Sequence, residues 1–469
     1  MKSELLRLVT PPLLLFSVSA VTHAAPITWV GTTTGNWTTS TNWSDGLAPA
    51  AGNTYTVNGS GKTITNPDAN ASTFGGDSLT VSGGAILRLF RTNGGSNINV
   101  TNTISNLTVD GATIKPASSN GSVTQILANR VTLGNAVTVE MNDSGGYTNQ
   151  LTFNNGYTGS GTLTLQRSGT TGSTRTVNVN GTNSTSGYSG NVAVSGNIST
   201  DTLSLNINTA TGWGTGSLTV NQWATVTFGA AINSTNSPLT VNTNGTVNLG
   251  AYSSSIGALS GTGGTIQGTA TSSALTVNQA SATTYAGTLA TTAGNNLAFT
   301  KAGSGILTLS GNNTYTGATT VSAGTLLVSG ALGSTAVSVA ANATVGGTGT
   351  LGGTLAFDGE SYLTIANLAD PLAVSGTVTF GSGFGIDNIQ GIDWDTLVLN
   401  TPYTLISNTQ DFSSAGLDNF GLANAANVGS MGRKAYFQTG SLQLMIIPEP
   451  SVFLLGGIGL VALARRRRR

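Results

Sequence analysis

Between residues 54 and 384 the chain alternates apolar and polar positions in runs of three or four residues. The triplet Leu-Thr-Val recurs at Leu79, Leu107, Leu218, Leu239 and Leu275, and related cores begin at Val131, Leu163, Val192, Leu203, Val337 and Leu372. Strict alternation in β-branched residues predicts strands whose first and third residues share one face while the middle residue takes the other. Leu79 and Val81 are thus expected inward and Thr80 outward. Gly or Asn punctuates nearly every gap and supplies the left-handed backbone that tight turns need. No segment of this region has a helical period.

Strands this short cannot bury a core alone, so each turn of chain must stack on others like it. Leu218 and Leu239 stand 21 residues apart, a spacing that fits one coil of a β-solenoid. At about 21 to 25 residues per coil, the region makes about 14 coils and a rod of roughly 65 Å. A globular sandwich is the competing fold, and the large number of short strands argues against it.

The densest unit is 301–330, KAGSGILTLSGNNTYTGATTVSAGTLLVSG. Alternating runs at Ile306–Leu309 and Thr325–Val328 flank a predicted turn at Gly311-Asn312-Asn313, and a third run, Thr319–Val321, is closed by Gly324. Its Tyr315-Thr-Gly317 element recurs as Tyr157-Thr-Gly159, Tyr188-Ser-Gly190 and Tyr285-Ala-Gly287. This unit resembles the autotransporter-associated β-strand repeat of large exported bacterial proteins. The resemblance implies an all-β, right-handed parallel β-helix with capping ends. A self-transporting adhesin would also need a C-terminal membrane barrel of about a dozen strands, for which the residues after 384 have no room.

Both ends of the rod differ in texture. Trp29, Trp37 and Trp43 hold half of the six tryptophans, and 26–53 is expected to be a cap that covers the first coil; an aromatic platform for sugar rings is the competing reading. Residues 385–447 have fewer glycines and more acids, with Asp387, Asp393, Asp395, Asp411 and Asp418 holding a third of the body's carboxylates. Strands are predicted at 396–399, 403–407, 435–438 and 442–446, with a helical turn or loop at 416–425, together forming a C-terminal β module.

Charge and targeting signals place this rod outside the cytoplasm. Lys2 and Arg7, the apolar run 11–21 and the small residues around Ala24 and Ala25 have the order of a secretory signal peptide over 1–25. That segment implies Sec export and cleavage by signal peptidase. The body from Pro26 to Ile447 carries 15 acids and 10 bases, about −5 net, which lacks the basic stripe nucleic acid requires. The chain has no Cys, so it has neither disulfides nor thiolate sites.

At the other end Pro448, Glu449 and Pro450 precede the apolar run 452–464 and five arginines, Arg465, Arg466, Arg467, Arg468 and Arg469. The prolines hold their segment extended and open to an enzyme. The arginines stop transfer and stay cytoplasmic, leaving the body outside. The apolar run is short for a span of about 20 residues, and the arginines snorkel to make up length. This order over 448–469 resembles the PEP-CTERM sorting signal. The resemblance implies recognition of Pro448, Glu449 and Pro450 by the membrane transpeptidase exosortase, after transient residence in the inner membrane. It is also associated with bacteria that make extracellular polysaccharide.

Little catalytic chemistry is available. The one histidine, His23, lies in the signal segment, so the mature chain has neither His nor Cys for nucleophilic triads or for zinc or iron sites. Carboxylates remain: Asp393 and Asp395 around Trp394, which would share one face on a strand, and Asp358 with Glu360. No cofactor and no metal are expected. The leading expectation is a non-catalytic exported protein of the cell surface or extracellular matrix. The alternative is a secreted β-helix that binds polysaccharide or acts on it through carboxylates.

Overall fold

The computed structural model describes residues 26–92, 98–119, 121–141, 149–168, 175–181, 185–409, 416–438 and 442–448. Residues 1–25, expected to be a signal peptide, and the apolar tail with its arginines lie outside them.

The chain coils into a parallel β-solenoid of about 14 turns. Each full turn visits three faces in the same order. The first face starts as six strands, Ile27–Thr28 to Tyr157–Gly159, and resumes as eight, Asn233–Ser234 to Val378–Phe380. The second has ten strands, Thr34–Asn36 to Leu259–Ser260, then six, Thr283–Tyr285 to Ile389–Gln390. The third has ten, Ala71–Thr73 to Thr288–Thr291, then five, Asn312–Asn313 to Ile406–Ser407.

Alternation sets the register. All the apolar triplets lie in strands, and their first and third residues are at most 3% exposed. Leu218 pairs directly with Leu239, so the 21-residue spacing is indeed one turn. The same ladder runs through Val137, Leu163, Val192, Leu218, Leu239 and Leu259. Turn length is less uniform than expected. Leu79 and Leu107 are paired across 28 residues, Thr344 and Tyr362 across 18. A strand must keep its inward parity, but the corners between strands are free to lengthen.

Glycine is required where the corners of successive turns touch. A Cβ on Gly311 would lie 2.0 Å from the Gly287 carbonyl oxygen, and one on Gly330 2.2 Å from that of Gly311. Neither has a positive φ, so close approach, rather than turn geometry, selects glycine. The Gly311-Asn312-Asn313 turn is corrected in part: Asn312–Asn313 is a third-face rung paired with Ala331–Leu332. Asn313 points inward, accepts from the Leu289 N–H at 2.8 Å and donates to the Gly311 and Ala331 carbonyls.

The four tyrosines of the Tyr-x-Gly elements are core residues, at most 1% exposed. They are not equivalent copies of one position. Tyr157 and Tyr188 pack edge to face at 4.8 Å in successive turns, whereas Tyr285 ends a second-face strand and Tyr315 precedes a first-face strand.

The N-terminal tryptophans also turn inward. Trp29, Trp37 and Trp43 are at most 6% exposed. Trp43 packs edge to face with Trp29 at 5.1 Å and Tyr55 at 4.9 Å, and its indole N–H donates to the Trp37 carbonyl. This corrects the sugar-platform reading of this segment, because no ring face is offered to solvent.

Candidate functional site: the end module and its sorting tail

The last turns are closed by Phe357, Phe380 and Phe384, whose rings lie 4.8–5.4 Å apart. Beyond them the parallel pattern ends. Ile406–Ser407 forms the last third-face rung against Leu372–Ala373, and the chain just before it joins a four-stranded antiparallel sheet. That sheet orders Pro402–Thr404, Gln443–Pro448, Arg433–Gln438 and Ala426–Val428. The predicted strands 435–438 and 442–446 are present to within two residues, and the predicted 403–407 is split at Leu405 between this sheet and the last third-face rung. The fourth, 396–399, is a turn.

Asp393 and Asp395 explain that correction. The Asp393 carboxylate accepts from the Asp395 N–H, and the Thr396 N–H reaches the Asp393 carbonyl at 3.3 Å, which folds the backbone into a turn before a strand can form. The two carboxylates therefore do not share a strand face. The Asp395 oxygens accept from the Ser430 hydroxyl at 2.6 Å and from the Ser430 and Met431 N–H groups. The Ser430 hydroxyl, followed by these backbone donors, holds Asp395 below the usual carboxylate range. Its observed contacts pin the 429–431 turn. Arg433 completes the clamp by donating to the carbonyls of Trp394 and Leu397. The other pair, Asp358 and Glu360, makes a turn in which the Glu360 N–H donates to Asp358 at 3.1 Å. Among the described residues no cluster of three or more His, Cys, Asp or Glu could hold a metal ion.

Two groups of buried charge were missed in the sequence, although strand parity marks both. Lys301 follows Leu297 and Phe299 on the inward face and is 0% exposed. Its ammonium donates to the carbonyls of Ala302, Gly303 and Ala323 at 2.8–3.0 Å, and burial pulls its pKa down to about 8. Arg175 opens the inward series Arg175, Val177, Val179. Close by, Arg167 and Asp201 form an ion pair at 2.8 Å with both side chains sealed from solvent. Burial lowers the pKa of both arginines, and the Asp201 charge opposes that shift.

The remaining predicted site residues are at the end of the module. Gln443–Pro448 buries Leu444 and Ile446, pairs along its length with Arg433–Gln438 and over its first three residues with Pro402–Thr404, and sets Pro448 opposite Arg433. Pro448 has no N–H to continue the ladder and is exposed. A rigid central strand thus delivers the first tail residue to the surface. Glu449, Pro450 and Arg465 to Arg469 lie outside the described residues. Among those described, no helix is long and apolar enough to cross a membrane.

Residues 447–469 match the family model of the PEP-CTERM protein-sorting motif. The chain ends in a PEP-CTERM sorting signal. Residues 299–328 match the passenger-associated-transport repeat, the same unit that the alternation singled out. Comparison with curated proteins and with solved structures gave no match. A PEP-CTERM motif implies exosortase-mediated processing and export to the cell envelope or surface.

Proposed function

We propose that the protein is a non-catalytic structural rod of the cell surface or extracellular matrix. It is exported through the Sec machinery, trimmed by signal peptidase, held briefly in the inner membrane and then processed by an exosortase. The observation that carries this reading is the PEP-CTERM motif at 447–469, whose first two residues end a strand paired along its length with Arg433–Gln438 at the end of the rod. The carboxylates singled out from the sequence support it, since those of Asp393 and Asp358 accept hydrogen bonds within their own turns and that of Asp395 is held by Ser430 and Met431 of the 429–431 turn. The rod's outer positions are chiefly Thr, Ser and Asn, which hydrate a long surface at low charge.

The test replaces all three motif residues, Pro448→Ala, Glu449→Ala and Pro450→Ala, in the full chain. The altered protein is expected to accumulate in the inner-membrane fraction with its arginine tail intact by mass. Release at the normal level with the tail removed would contradict exosortase recognition of these residues.

A further inference from the structure

Of the six tryptophans, Trp29, Trp37, Trp43 and Trp213 are buried and Trp394 packs on the core of the end module. Trp223 does neither. It is half-buried at the corner between Leu218–Val220 on the second face and Ala224–Phe228 on the third. Its φ is +57°, the left-handed region, where a bulky side chain is an outlier. The next two turns fill the same corner with the residues such a backbone prefers, Asn244 at φ +61° and Gly264 at +76°. Turn formation therefore does not call for tryptophan. Among the described residues its indole N–H meets no acceptor, and Gly196 lies against its base, where a Cβ would be 2.7 Å from the Trp223 Cβ. Backbone strain of this kind gathers at binding sites.

The corner divides two shallow grooves that share Thr243. One, of about 470 Å³, is lined by Trp223, Thr202, Thr225, Thr243, Thr246 and Thr265 among others. The other, of about 390 Å³, is lined by Ser195, Asn221, Gln222, Asn242, Thr243 and Thr262. Thr225, Thr246 and Thr265 are direct neighbours in successive rungs. Asn242 donates to Asn221 at 2.9 Å and Asn221 to Ser195 at 3.1 Å, forming an amide column beside them. No charged residue lines either groove.

We propose that this corner binds a neutral glycan lying along the rod, with one sugar ring on the Trp223 indole. An indole offers a flat apolar face for the C–H face of a ring and an N–H at its edge for a hydroxyl. Hydroxyl and amide columns repeat every rung, about 4.8 Å, which is comparable to one hexose in an extended chain. Anionic polymers need cations, lipid needs an apolar patch, and a β-strand ligand needs an open sheet edge. This corner has none of the three. The inference requires export and is otherwise independent of the sorting mechanism.

Affinity electrophoresis of the full exported chain through gels containing neutral polymers (hydroxyethylcellulose, galactomannan, dextran) or anionic alginate provides the test. At least one neutral polymer is expected to retard the protein more than alginate does, with a change in tryptophan fluorescence. Trp223→Asn installs the residue of the adjacent turn, so it is expected to keep or raise the unfolding midpoint while weakening retention about tenfold or more. A structural tryptophan would instead lower the midpoint and leave retention unchanged. That result, or no retention by any neutral polymer, or preference for alginate, would overturn the proposal. Each of these outcomes is separable from mis-sorting, which the intact mass of the recovered protein reports.

Discussion

Lys301→Ala is expected to destabilise the turns around the passenger-associated-transport repeat by roughly 3–5 kcal/mol. Two losses add. The four-carbon stem leaves a cavity beside Val277 and Val321, its rung neighbours, and three carbonyls lose a donor. The Ala302 carbonyl keeps the Gln279 N–H at 2.8 Å, so Gly303 and Ala323 bear most of the polar cost. Lys301→Met keeps most of the volume and removes only the donors, and should therefore lose less than alanine does. Because neighbouring turns couple locally in a solenoid, hydrogen exchange at 297–325 reads the effect better than a single global midpoint. Exchange unchanged in Lys301→Ala would contradict the assignment.

The same lysine sets a pH dependence. Its folded pKa of about 8 lies below the ordinary 10.5. Between these values the unfolded chain holds a proton that the folded chain has released, so stability rises with pH across this window. Below about 8 the penalty of burying the ammonium is fully present. Wild-type stability is expected to climb from pH 8 to about 10.5, with a flatter slope in Lys301→Met over the same range.

Asp201→Ala carries the second large effect. It leaves the buried Arg167 without its carboxylate partner and removes the charge that offsets the desolvation of Arg175. Removing one member of a buried pair costs roughly 3–5 kcal/mol, whereas replacing both with apolar groups of similar volume is often neutral. Thermal unfolding should thus show a large drop for Asp201→Ala. Arg167→Met combined with Asp201→Leu should recover the part that comes from Arg167, while Arg175 still lacks the offsetting charge. A double variant no better than the single one would contradict a cost arising from unpaired charge.

Much of this architecture was legible because strand parity is a strict code. A one-residue slip would send Leu218 and Val220 to solvent and Thr219 into the core, so the alternation fixed inside and outside for every triplet. The pairing of Leu218 with Leu239 followed from spacing alone. Corner lengths were not legible, since a corner has no periodicity to read. The strand predicted at 396–399 failed because Asp393 offers its backbone a turn, and short polar side chains win such local competitions. Lys301 and Arg175 stand at inward positions by strand parity, so their burial was readable in principle from the alternation. Trp223 was unreadable, because nothing in its side chain signals a left-handed backbone.

For the candidate site, the sequence and the fold contribute different parts. The motif at 447–469 was evident as residues, whereas its rigid mounting on Gln443–Pro448 required the antiparallel sheet. The strand Gln443–Pro448 fixes where Pro448, the first residue of the motif, leaves the rod.

Intact-mass measurement of the protein recovered from the cell envelope and medium tests the central claim most directly. The account predicts a chain that starts near Ala25 or Pro26 and ends within or just after Pro448-Glu449-Pro450, lacking Arg465 to Arg469. A full-length chain from Met1 to Arg469 recovered from the cytoplasm, with no shortened form outside it, would contradict it.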